Sequence, residues 1–264
     1  MMRSMFVTVM SFLFFGSLAV NSYAAEQTIV VSAAASLQDS FIEAGKIFER
    51  DHPGTRIAFN FASSNQLANQ IEQGAPVDVF ASADMSLLKR LAGSNIITEN
   101  SVMARNKLTV IVSKSASMKI EGLADIAKKG VRLIIAGSQV PAGRYARQFL
   151  QKADQAGSYG TDYSLRVLGN IVSEEPDLRM VAMKVAFGEG DAGIVYVSDI
   201  AGDVGNKVRA IAIEDKLNVM AEYGIAIVKS STHPDAAKAF YSLLLSPKGQ
   251  AIFTKNRLLP TQIK

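Results

Sequence analysis

Ala62-Ser63-Ser64-Asn65-Gln66-Leu67-Ala68-Asn69-Gln70-Ile71-Glu72-Gln73-Gly74-Ala75-Pro76-Val77-Asp78-Val79-Phe80-Ala81-Ser82-Ala83-Asp84 decides the fold class. Ser63 stands where a helix begins and Gln66 three residues later, the spacing of a capping box. Leu67, Ala68 and Ile71 share one helical face, and Gly74 offers the left-handed stop. Ala75-Pro76 then turns the chain into Val77 to Ala81, a short apolar run of the kind buried in a parallel sheet. A helix that starts with free N–H groups and serine hydroxyls is a ready seat for an anion, although capping alone would also account for the serines.

The same strand-then-helix pattern surrounds it. Thr28 to Ala34 reads as a buried first strand, and Ser36 with Asp39 three residues on reads as a capped helix running toward Arg50. Arg56 to Phe61 alternates as a second strand, and Met85 to Ala92 as a helix ended by Gly93. Lys107 to Ser113 is a strong strand that starts a second unit. In that unit Leu123 to Lys129 reads as helix and Val131 to Ala136 as strand. Pro141 stands at the first position of a helix over 142–153, where its missing donor costs nothing. Tyr163 to Leu168 is a short helix, Glu175-Pro176-Asp177-Leu178 opens another, and Asp191 to Tyr196 is a buried strand ending in a phenol. Lys207 to Ile213 and Glu222 to Lys229 are strands, and terminal helices cover 234–245 and 248–255. Such alternation implies an α/β fold with mainly parallel sheets flanked by helices. Its ligands bind at the carboxyl ends of the strands, where the serines stand. Two lobes joined by two crossings, near 104–108 and 220–223, fit this plan.

The chain has 264 residues, enough for two ordinary domains. Residues 1–24 read as an export signal: Arg3, an apolar stretch from Met5 to Val20, and the small-residue site Ser22-Tyr23-Ala24. With no cysteine, neither a disulfide nor a lipid-modified amino terminus is expected. The formal charge of +4 becomes +3 once Arg3 is removed with the signal. Basic residues are scattered rather than striped, which argues against nucleic acid as a partner.

Catalysis lacks its parts. A serine nucleophile needs a base, yet the two histidines, His52 and His233, both precede proline in expected surface loops. Neither Ser36 nor Ser64 sits in a Gly-x-Ser-x-Gly elbow. There is no phosphate-cradling Gly-Lys loop and no plausible zinc set. The residues that do stand at strand ends are hydroxyls and helix amides. Donors of this kind hold an anion through charge-assisted bonds, about twice as strong as neutral ones. A site made of donors alone favours a deprotonated tetrahedral dianion over a protonated phosphate, whose O–H would stay unpaired at about 1–3 kcal/mol.

Four ordered motifs carry a specific resemblance: Ala33-Ala34-Ala35-Ser36-Leu37; Ser63-Ser64 through Gln70-Ile71-Glu72-x-Gly74-Ala75-Pro76 to Ser82-Ala83-Asp84; Val140-Pro141-Ala142-Gly143-x-Tyr145-Ala146; and Gly193-Ile194-Val195-Tyr196-x-Ser198-Asp199. From about Thr28 to its end the chain resembles the periplasmic molybdate-binding protein of the molybdate ABC transporter. The resemblance implies the two-lobed periplasmic-binding-protein fold of type II, with residues 25–106 and 222–264 in lobe one and 107–221 in lobe two. It implies molybdate or tungstate as ligand, no cofactor, no direct protein ligand to the metal, no catalysis, and a membrane permease as partner of a periplasmic monomer. Carried over position by position, it implies that Ser36, Ser64, Ala142, Leu178 and Tyr196 bind the oxyanion. Leu178 departs from the usual valine, and only its backbone N–H is needed. Asn65 stands where some relatives carry a small hydroxyl residue, which would alter the packing behind the site. Sulfate or another small oxyanion is the alternative ligand, and a serine-dependent hydrolase or a ligand-sensing domain the alternative class.

Overall fold

Five apolar residues follow Gln27 in β1 (Gln27–Ala34), interrupted only by Thr28 and Ser32, and the strand is buried on both faces toward its carboxyl end. It runs parallel to β2 (Thr55–Ala62) on one side and β3 (Val79–Ser82) on the other. The computed structural model describes residues 27–200 and 202–261. The export signal read in residues 1–24 lies outside them.

After β1 a 3-10 turn (Ala35–Leu37) leads into α1 (Gln38–Asp51), and β2 leads into α2 (Ser64–Glu72). Gly74 takes φ +87°, the left-handed stop that its place after α2 implies. α3 (Met85–Gly93) is capped by Asp84 and includes Gly93; the left-handed residue behind it is Asn95, at φ 57°. An aromatic group built on Phe41, Phe48 and Phe240, with edge-to-face rings 5.3 to 6.0 Å apart, fixes α1 to α8 (Pro234–Leu245). α9 (Pro247–Lys255) adds Phe253 to it.

The strand read as starting at Lys107 in fact begins at Ile97. β4 (Ile97–Ser113) is 17 residues long. Its first part is polar and half-exposed, so it shows no apolar run. That part pairs antiparallel with β9 (Met220–Val228), from Ile97 opposite Val228 to Lys107 opposite Met220. From Leu108 onward the partners change to β7 (Ala192–Tyr196) and β8 (Val208–Ala212). The short β10 (Leu259–Pro260) closes on β4 at Arg105 and Ala104.

Beyond this switch, β7 lies parallel to β5 (Leu133–Ala136), and β5 to β6 (Ile171–Glu175). β6 has no counterpart in the sequence reading, because its alternate residues are exposed and no apolar run marks it. The strand order is β2-β1-β3-β9-β4-β7-β5-β6. The sheet is therefore mixed: parallel strands in each half, with antiparallel returns through β9, β4 and β8. α4 (Pro141–Gln155), α5 (Tyr163–Leu168) and α6 (Leu178–Ala186) cover the second half, and α7 (Gly202–Lys207) precedes β8. The expected helix at Leu123–Lys129 is a 3-10 turn, Leu123–Ala127, tied by Asp125 to the amides of Glu121 and Gly122.

Candidate functional site

Four helix starts and the end of one strand converge on a small cavity of about 20 Å³. Ser36 reaches it from the turn before α1, Ser64 from the first turn of α2, and Ala142 from that of α4. Leu178 opens α6, and Tyr196 ends β7. All five residues singled out from the sequence thus line one cavity, two from the first half of the sheet and three from the second. Among the described residues its walls carry no lysine or arginine. The carboxylate that the described residues place there, Asp177, accepts from Met180 N at Oδ1, 2.9 Å away, capping α6.

The hydroxyls differ in how they are held. Ser64 Oγ accepts from Ala83 N at 3.0 Å, which leaves its hydrogen for the cavity. Ser36 is no cap: Ala34 holds the N-cap position of its turn without a side-chain bond, and Ser36 Oγ lies 2.9 Å from Tyr223 OH. The cap of α2 is Ser63, whose Oγ accepts from Gln66 N. Tyr196 is almost wholly buried, and among the described residues its phenol oxygen is the buried side-chain polar atom with no hydrogen-bond partner. An orphan of that kind costs about 1–3 kcal/mol in the empty protein. Burial pushes its pKa well above 10, so it stays a donor at neutral pH.

The helix starts add amides. The first-turn N–H groups of a helix have no intrahelical acceptor and sit at the positive end of its dipole. In α6 the first intrahelical bond is from Val181 N to Asp177 O, and Met180 N is taken by the Asp177 side chain, so Leu178 N remains outside both. In α4 the N-cap Val140 offers no side-chain cap. Gly143 lets this helix start press onto β5: a Cβ there would lie 2.1 Å from Gly137 O and 2.4 Å from Ala136 O. Gly143→Ala is expected to destabilise the protein by about 1–3 kcal/mol. It should also weaken anion binding by displacing the Ala142 amide. Urea unfolding and calorimetric titration of the same sample check both effects.

A larger cleft of about 310 Å³ lies on the other side of Ser36. Asp39, Asp199 and Asp203 line it together with Arg179 and Lys207, so its acidic and basic groups largely offset each other and it lacks the donor-only lining of the smaller cavity. Burial pushes the Asp199 carboxyl up to about 7, opposed by the bond it accepts from Tyr196 N at 2.9 Å. A carboxyl raised in the fold stays protonated while its unfolded counterpart ionises. Its contribution is therefore full below about pH 4 and is lost as pH rises through 7. Between pH 5 and 8 the protein is expected to lose about 1 kcal/mol, half the linkage value for that window because the side chain keeps some water access. Asp199→Asn, which keeps an acceptor for Tyr196 N, should flatten that slope in urea titrations at the two pH values.

Residues 29–256 match the family model described as bacterial extracellular solute-binding protein. The molybdate-binding protein ModA of Mycobacterium tuberculosis is 33% identical over 231 residues, covering 87% of this chain and 84% of that protein. ModA of Escherichia coli is 32% identical over 247 residues, covering 90% and 91%. The chain belongs to the ModA family of bacterial extracellular solute-binding proteins. Members of this family bind solutes and are not enzymes. A Bacillus subtilis relative, 32% identical over 232 residues and covering 86% and 85%, is described as an ABC transporter substrate-binding lipoprotein. The fold is shared with the periplasmic molybdate-binding protein of Azotobacter vinelandii, at TM-score 0.76, 22% identity and coverage of 89% and 100%. It is shared too with the sulfate-binding protein SubI of M. tuberculosis, at 0.78, 18%, and 89% and 88%.

In this ModA-family chain several contacts near the cavity join residues far apart in the sequence. Asn65 Nδ2 donates to Gln139 O, Arg144 pairs with Asp84, and Arg179 Nη1 lies 3.4 Å from Asp39 Oδ1. Each joins an element of the first half to one of the second. Asn65 thus reaches across the cavity mouth instead of packing behind the site. Tyr223 and Asn106 lie beneath Ser36, on β9 and β4. Only pairing across the sheet brings them there.

Proposed function

We propose that this chain captures molybdate, and tungstate with it, outside the cytoplasmic membrane and delivers it to an ABC importer. The observation that carries the proposal is the Tyr196 hydroxyl, unpartnered among the described residues and buried in a cavity that Ser36, Ser64, Ala142 and Leu178 also line and to which no described lysine or arginine contributes. The hydroxyls of Ser36, Ser64 and Tyr196, with the N–H groups of Ala142 and Leu178, are the binding groups. Charge-assisted bonds from several neutral donors hold a tetrahedral dianion without a countercharge. Molybdenum is then bound as its oxyanion, with no protein atom on the metal and no cofactor.

The lobe division follows the partner switch in β4. Residues 25–106 with 222–264 form one lobe and 107–221 the other, hinged where β4 and β9 cross. Donors from both lobes make closure favourable only with the anion present, since a ligand shifts an equilibrium by its differential affinity. The pairs Asp84–Arg144 and Asp39–Arg179 hold the closed arrangement. A membrane permease recognises that closed face of a periplasmic monomer exported by the signal in residues 1–24.

Sulfate is the second reading, favoured by the fold shared with SubI. Thermal unfolding with molybdate, tungstate, sulfate and phosphate separates the two. A ligand at a thousand times its Kd adds about 4 kcal/mol. Molybdate and tungstate are expected to raise the unfolding temperature, with sulfate and phosphate near zero. A shift with sulfate as large as that with molybdate would overturn the molybdate assignment.

A further inference from the structure

Asn106, on β4, is fully buried, and its amide is committed on every side. Oδ1 accepts from Lys107 N at 3.0 Å, which fixes the orientation of the group. Its Nδ2 therefore has only hydrogens to give, to Ser198 Oγ at 2.8 Å and to Tyr223 OH at 3.3 Å. Tyr223, on β9, is buried too, and its ring meets Tyr196 edge-on at 5.7 Å. A phenol has one hydrogen. With its oxygen accepting from Asn106, that hydrogen goes to the other neighbour, Ser36 Oγ, 2.9 Å away. Ser36 has then spent one of its two lone pairs, and its own hydrogen is left to be given to the cavity.

We propose that Tyr223 and Asn106 are specificity-positioning residues: the chain Asn106 to Tyr223 to Ser36 sets the direction of the Ser36 hydroxyl and favours Ser36 meeting an anion as a donor. Both residues stand at the crossings between the two halves, Tyr223 opposite Ala104 and Asn106 opposite Ala221. The hinge strands therefore carry chemistry for the site as well as its motion. Burial keeps Tyr223 protonated far above neutral pH, so the relay has one direction through the physiological range. Ser64 has the same polarity from a backbone amide, which no side-chain change removes. The polarity of Ser36 is the one that a substitution can release. Freed of Tyr223, Ser36 can turn and accept the O–H of a protonated anion, and discrimination against hydrogen phosphate falls.

This inference rests on the oxyanion reading above, and the test separates the two. Calorimetric titration with molybdate, sulfate and phosphate is run on wild type, Ser36→Ala, Tyr223→Phe and the double variant, each checked for folding by circular dichroism. If wild type prefers sulfate, the molybdate reading fails, and the relay is judged with sulfate. Tyr223→Phe is expected to weaken binding of the preferred dianion about tenfold, the size of one hydrogen bond to a charged group. Phosphate binding should fall less or rise, lowering the dianion-to-phosphate ratio. In the Ser36→Ala background Tyr223→Phe should cost nothing further, because a relay acts only through its end. Asn106→Leu, which leaves the Tyr223 ring in place and removes its donor, should lower the same ratio and serves where Tyr223→Phe does not fold. Losses that multiply in the double variant, or fall equally on all three anions, would overturn the proposal, as would wild type that binds none of them.

Discussion

Tyr196→Phe is expected to weaken molybdate binding about 10- to 100-fold while leaving the ligand-free protein as stable as wild type or more so. The two effects have opposite signs because one oxygen produces both. In the empty protein the phenol oxygen is buried without a partner, so deleting it relieves a penalty of about 1–3 kcal/mol. In the bound protein the same hydroxyl gives a charge-assisted bond, and its loss removes about 1.5–3 kcal/mol of affinity. The ring keeps its edge-on contact with Tyr223, so packing changes little. Calorimetric titration gives the affinity and a thermal scan of the ligand-free variant gives the stability. Unchanged affinity would remove Tyr196 from the binding groups. A fall in both would make its role structural.

Asp191→Ala is expected to do the reverse, costing about 3–5 kcal/mol of stability while the surviving folded protein binds the anion as before. Asp191 precedes β7, at the opposite end from Tyr196, and its side chain is fully buried. Oδ1 accepts from Ser117 N and Ser117 Oγ at 2.9 Å and from Arg132 Nη2 at 3.0 Å, and Oδ2 from Arg132 N at 2.9 Å. Burial opposes ionisation, yet these bonds hold the carboxyl at about 2. A carboxyl lowered in this way contributes above about pH 4, and the contribution is lost as pH falls toward 2. Alanine would leave Arg132 N and Ser117 N without their acceptor. Urea unfolding at pH 7 measures the cost. A loss under 1 kcal/mol would show that water replaces the carboxylate.

The two substitutions also mark what a linear chain can display. Tyr196 and Ser64 were legible because a hydroxyl at the end of a buried strand, or at a helix start, is visible within five residues. Ser36 was legible as a site residue but not in its local role. The spacing to Asp39 suggests a cap, whereas Asp39 pairs with Arg179 and Ser36 with Tyr223, 187 residues away. Tyr223 and Asn106 carried no signal at all. Each reads as one more residue of a strand, and only the pairing of β4 with β9 puts them under Ser36. Strands β4 and β6 show the same limit. The half-exposed start of β4 and the exposed alternation of β6 lack the apolar run by which buried strands such as β1 and β7 announce themselves.

A crystal structure of the protein with tungstate, located by its anomalous scattering, tests the donor cage most directly. The metal is expected in the cavity between the two halves. Its oxygens should lie within about 3.2 Å of the Ser36, Ser64 and Tyr196 hydroxyls and the Ala142 and Leu178 amides, with no lysine or arginine in contact. Tungstate held by a cationic side chain, or seated in the larger cleft beside Asp39 and Asp199, would contradict the account.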